Sequence, residues 1–293
     1  MSHLHAAANG PTRPAHQVVA YFAVAYGISW GAILVYLAAL RFDFTALGID
    51  QLMMMLVFML AGPSVAGLAL TGIFDGRRGF VDLFHRLRRV AVGARWYAFA
   101  LLPIPLLLLA VLLPLSAWVS PDYRPTVLAF GIAAGLLAGF FEEIGWTGFA
   151  TPRLLERYSP LRAGLILGLV WASWHALADF SGNVGAMGVG DWAIRMVVYW
   201  IIPLTCYRVL MTWAYAHHRS LALAMLMHAG YTGWLATFTM DMPAASGPDA
   251  LLWQALFAAV IVALTVAVAL LARRADHVEF AASASYAFRG APR

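Results

Sequence analysis

Glu142 and Glu143 stand side by side in FFEEIGWTGFATPRL (residues 140–154), a stretch otherwise fit to be buried in lipid. The chain has only two other glutamates, Glu156 and Glu279, so half of this residue type sits where an ionised side chain is most expensive. Two histidines in apolar runs accompany the pair. His175 closes WASWH, four residues after Trp171, and His228 opens HAGYT, four residues before Thr232. Residues four apart share a helix face, so each histidine and its companion can address one point. A carboxylate and two imidazoles in a water-poor site can activate water, ligate a metal or relay protons.

Depth decides whether these groups can meet. Glu142 lies eleven residues before Arg153, His175 thirteen after Arg162 and His228 nine after Arg219. At about 1.5 Å per residue, all three lie roughly 14–20 Å from the arginines at one membrane edge. That is near the middle of a hydrocarbon core about 30 Å thick. Gly131, Gly135 and Gly139 precede the glutamates at every fourth position, and Gly164, Gly168, Ala172 and Ala176 do the same before and after Trp171. Small residues at this spacing let helix backbones approach closely in lipid.

The elements that must hold these groups are membrane helices. The chain has 293 residues, 62% hydrophobic and 11% charged, with mean hydropathy +0.77, against about 25% charged in a soluble domain. Eight apolar segments are long enough to cross: 17–40, 52–74, 96–119, 126–150, 163–180, 196–216, 220–239 and 250–272. The expected fold is therefore all-α, a polytopic bundle of about eight transmembrane helices in one domain, 17–272. It is flanked by a disordered N-tail (1–16) and a C-tail (273–293).

The formal charge of +5 is carried by arginine, with no lysine in the chain. Arg77, Arg78, Arg86, Arg88, Arg89, Arg95, Arg153, Arg157, Arg162, Arg219, Arg273 and Arg274 fall on the N-terminal side of the membrane; Arg41, Arg124 and Arg195 fall opposite. The positive-inside rule then puts both termini in the cytoplasm and Asp122 and Asp191 outside. In VDLFHRLRRV, Leu83, Phe84, Leu87 and Val90 share a face and His85, Arg86, Arg88 and Arg89 the other, as expected of a short helix on anionic headgroups. The lone Cys206 excludes an intrachain disulfide, and no basic run interleaved with aromatics points to nucleic acid. The expected partners are the bilayer and a substrate with a membrane-associated end.

The three clusters resemble the motifs of the CPBP family, also called Abi or type II CaaX prenyl endopeptidases. That pattern is a Glu-Glu pair with arginine four residues after the second Glu, then aromatic-x-x-x-His, then His-x-x-x-Asn or Asp. EEIGWTGF, GLVWASWH and LMHAGYT match in order and spacing across residues 126–240. The resemblance implies peptide hydrolysis, with Glu142 and His175 activating water, Glu143 supporting the site, and His228 and Thr232 facing the oxyanion. It implies no cofactor. Two positions depart from it: Thr147 stands where arginine is expected, leaving Glu143 without its partner one turn away, and Thr232 replaces the amide or acid. These changes put the rate in doubt.

Other readings use the same residues. Glu142, His175 and His228 would make a three-ligand zinc site with an open position. A proton-coupled transporter would use acids and histidines as a relay, although no internal repeat accompanies them. A weakened family member would serve as a membrane partner or immunity protein. For a protease, the substrate class is CaaX-like or bacteriocin-like.

Overall fold

The computed structural model describes residues 13–44, 47–245 and 248–289. Among these residues the regular structure is helical, with no strand. Helices α1 (Arg13–Ala39), α2 (Ile49–Leu87), α3 (Ala94–Leu101) and α4 (Pro103–Trp118) precede the glutamates. The glutamates lie on α5 (Ala129–Gly145), which runs through a π-helical turn at Trp146–Ala150 into α6 (Thr151–Leu155). Then come α7 (Pro160–Trp174), α8 (Ala176–Arg195), a second π-helical turn at Met196–Ile201, α9 (Ile202–His218), α10 (Leu221–Thr239) and α11 (Pro248–Arg289). Of the expected tails, residues 1–12 and 290–293 lie outside the described residues.

Six helical stretches are long and apolar enough to cross a membrane: Ala15–Ala39, Ile49–Leu87, Ala94–Trp118, Ala129–Leu155, Ala176–His218 and Asp249–Ala272. The other two expected spans are also helical, as α7 and α10. Large apolar side chains such as Val57, Val65, Leu106, Leu113, Leu136, Leu169 and Leu270 point outward from the bundle, which suits lipid and not water.

The expected span 163–180 is not one helix. At 15 residues α7 rises about 22 Å, too short to cross a core of about 30 Å, and it ends at Trp174. His175 is the hinge, its N–H bonded to Ala172 and its carbonyl accepting from Asp179 N–H at the start of α8. Broken backbone is tolerated at membrane depth where protein encloses it. Residues 181–195, expected as a loop, continue α8, which turns sharply where Gly188 adopts φ +76. A buried cluster braces this excursion. Arg195 pairs with Asp179 at 3.1 Å, and Trp192 Nε1 donates to the same carboxylate at 3.1 Å.

Two close helix pairs set the site. Gly131, Gly135 and Gly139 of α5 lie against the backbone of α10 at Thr237, Ala229 and Met225, where an added Cβ would overlap. On α7, a Cβ at Gly164 would sit 2.7 Å from Val209 Cα, and one at Gly168 2.6 Å from Thr205 Cα, both on α9. The small-residue stripes thus bring α5 onto α10 and α7 onto α9. On α2, Gly76 (φ +58) bends the chain into the predicted short helix. Its arginine pattern is corrected in one respect: Arg86 is buried, donating to Gly148 O at 2.9 Å and Tyr215 Oη at 3.0 Å and pairing with Asp82 at 2.7 Å. It tethers that helix to the π turn after the glutamates, while Phe80 and Phe84 are exposed.

Candidate active site

Glu142, Glu143 and His228 converge where α5 packs on α10. Glu142 Oε2 accepts two indole N–H groups, from Trp171 at 2.8 Å and Trp146 at 3.2 Å. Its other oxygen, Oε1, faces His228 Nε2 at 3.9 Å. Both residues are buried, Glu142 to 4% exposure and His228 to 1%. Two fixed donors therefore occupy one carboxylate oxygen and leave the second directed at the imidazole.

Glu143 is fully buried and accepts from four donors. Nη1 and Nη2 of Arg208 grip it at 2.8 and 2.7 Å, Thr147 Oγ1 donates from one turn later, and His228 Nδ1 donates at 2.7 Å. Glu143 thus has no cation one turn away, as the sequence implies, yet it is paired. The arginine comes from α9 instead of from position 147, and Thr147 fills the smaller space while also accepting from Arg208 Nη1 at 3.4 Å. The Arg208 guanidinium also lies 4.1 Å from the centre of the Trp171 ring. A bidentate, ring-stacked arginine is the cation best suited to a buried carboxylate.

His228 is oriented by this arrangement. With Nδ1–H given to Glu143, Nε2 faces Glu142 as an acceptor when the ring is neutral and as a donor when it is protonated. His175 is oriented in the same sense, its Nδ1 donating to Trp171 O at 2.9 Å and leaving Nε2 free. Its ring lies against Trp174 (centroids 4.9 Å) and stacks on Trp200 (4.1 Å, planes 19° apart). His175 is only partly buried, unlike Glu142, Glu143 and His228. Thr232 lies one turn after His228 on α10. It lines a cleft of about 150 Å³ with Tyr199, Trp200, Tyr231, Leu235 and Met240.

Besides Trp146 and Trp171, three residues absent from the sequence-based set contribute. Arg208 was visible as an arginine thirteen residues after Arg195 and eleven before Arg219, deep in a span, where a charge marks a partner. Trp200 carries no such signal, since tryptophan near a span end reads as an interfacial anchor. Tyr21 of α1 is fully buried and packs edge-on against Trp146 at 5.3 Å, behind the Glu142 donor. Among the described residues, no three His, Cys, Asp or Glu side chains gather as a metal-ligating group.

Fold and site together define a polytopic membrane protein whose core holds a carboxylate–imidazole centre assembled from α5, α7, α9 and α10. Comparison with known proteins carries this one step further. Residues 124–234 match the family model described as Type II CAAX prenyl endopeptidase Rce1-like. CAAX prenyl protease 2 of Methanococcus maripaludis is 26% identical over 142 residues, which cover 43% of this chain and 52% of that protein. The chain spans about half the length of this curated relative. The matched segment contains Glu142, Glu143, His175, Arg208 and His228, so the similarity spans the whole of this centre.

Proposed function

We propose that this chain is an intramembrane endopeptidase that hydrolyses a peptide bond near the membrane-associated end of a CaaX-like substrate. One observation carries the reading: within the family-matched segment, two indoles clamp Glu142 by one oxygen and leave the other facing an imidazole. Glu142 Oε1 takes a proton from water, and His175 Nε2 shares that water's second hydrogen. The water oxygen bonds to the carbonyl carbon, and the C–N bond breaks as the proton passes from Glu142 to the leaving nitrogen. His228 faces the oxyanion and donates to it from Nε2 when the ring carries a proton there, while Glu143, itself gripped by Arg208, holds the ring in place.

The reaction as proposed uses the chain's own residues, and chelation tests that part: activity should survive exhaustive treatment with a zinc chelator. The central test uses purified protein in liposomes with a peptide ending in a lipidated CaaX sequence. The expected product is the peptide shortened by its last three residues. No cleavage of lipidated or unlipidated peptide would leave the immunity or partner role as the better reading.

We also propose the cell membrane as location, with both termini cytoplasmic. In a Cys206→Ser background, Arg78→Cys should react with an impermeant thiol reagent only after cells are opened, and Asp122→Cys in intact cells. Both positions are exposed. The reverse pattern would invert the topology.

A further inference from the structure

We propose that Trp200 donates its indole N–H to the substrate carbonyl oxygen as that oxygen becomes negative, taking over the donor role for which Thr232 is a weak occupant. The inference rests on the hydrolytic reading above and adds a residue to it. Three observations converge on this side chain. Its ring stacks on His175, the imidazole placed at the attacking water. It lines the same cleft as Thr232, the position at which the family pattern has an amide or acid. Its Nε1 is buried and has no hydrogen-bond partner among the described residues.

The third observation, taken together with the other two, separates Trp200 from the other tryptophans. An indole offers one donor and no acceptor, and buried donors are almost always satisfied, so an orphan beside a reaction centre points to a role. The indoles of Trp146 and Trp171 are spent on Glu142. Trp96 Nε1 is also orphaned, but that ring packs on Trp213, His217 and His218 at the far end of α9. Trp174 Nε1 is orphaned too, but its ring is fully enclosed. Trp174 also touches His175, but of these three only Trp200 both touches it and lines the Thr232 cleft.

Its position is also braced. Trp200 belongs to the π-helical turn Met196–Ile201, a local distortion found often at functional sites. Arg195, immediately before that turn, lies 4.2 Å over the Tyr199 ring and pairs with Asp179, one turn after His175. The segment bearing His175 and the segment bearing Trp200 are thereby tied together. A donor held in place before charge develops is the arrangement that stabilises an oxyanion most. Trp200 further supplies what His228 offers only when protonated: a hydrogen that is always available.

The test measures kcat and KM for lipidated-peptide cleavage by wild type, Trp200→Phe, Thr232→Asn and the double variant. Removing one oxyanion donor typically lowers kcat by about 100–1,000-fold, and that is the expected loss for Trp200→Phe, with KM little changed. Thr232→Asn should restore most of that loss in the double variant. Benzothienylalanine at position 200 keeps the ring area without the N–H and should reproduce the Phe defect even where Trp200→Phe loosens the fold. Full kcat in the benzothienyl protein, or an equal loss with and without Thr232→Asn, overturns the proposal. If either occurs while Glu142→Gln is inactive, the hydrolytic reading stands and only the role of Trp200 falls. No cleavage by wild type would overturn both.

Discussion

Arg208→Met is expected to destabilise the protein by about 3–5 kcal/mol, the cost of breaking a buried ion pair by removing one partner. Both side chains of the pair are fully enclosed, and the contact is bidentate at 2.7 and 2.8 Å. Methionine fills much of the volume but leaves the Glu143 carboxylate with Thr147 and His228 as its remaining donors. Those two donors put the loss nearer 3 than 5 kcal/mol. His228 would then lose its fixed orientation, so activity should fall with stability. Arg208→Lys should rescue little, because an ammonium neither grips the carboxylate by two parallel bonds nor stacks flat on Trp171. A more informative rescue is Thr147→Arg combined with Arg208→Met, which returns the cation to the position of the family pattern and should recover part of the stability. Thermal unfolding in detergent reads all three. An Arg208→Met protein that melts with wild type would remove Arg208 as the counterion of Glu143.

That pair also shows where the sequence was readable. Long apolar runs located helical structure at each of the eight expected spans, because the length needed to cross lipid leaves little choice. The glutamates and histidines were legible for the same reason: lipid makes each polar group conspicuous. Glycine spacing marked α5 and α7 as helices that others approach closely, though not their partners, since only a missing side chain lets Gly135 lie on the Ala229 carbonyl. Counting arginines only outside the spans passed over Arg208, the cation that compensates for Thr147. The break at His175 was hidden because residues 163–180 contain no helix-breaking signal after Gly168; the bend is held from outside by Asp179, Arg195 and Trp192. Trp200 was hidden for a related reason. Its direction depends on a π-helical turn, and a turn of that kind shifts the side-chain register by an amount that a regular helical period cannot supply.

Glu142→Gln is expected to reduce turnover by at least about 100–10,000-fold, the range for a lost general base, while leaving the fold intact. The reason lies in how its two oxygens are used. The introduced amide can turn its carbonyl oxygen to Trp146 and Trp171, whose N–H groups need an acceptor, and its NH₂ to His228 Nε2, which is an acceptor in the neutral ring. Every hydrogen bond of the resting site therefore has a counterpart, and the melting temperature should stay close to that of wild type. What disappears is the lone pair that takes the proton from water and returns it to the leaving nitrogen. His175→Ala should cost less, because it removes the second contact to the water and not the proton acceptor. The loss from Glu142→Gln should exceed that from Trp200→Phe, since stabilising an oxyanion is of no use before the water has attacked. Wild-type and variant proteins at equal concentration in the same liposomes, with product quantified by mass spectrometry, decide the matter. Cleavage at an undiminished rate by Glu142→Gln would move the chemistry to another residue, whatever the merits of the fold assignment.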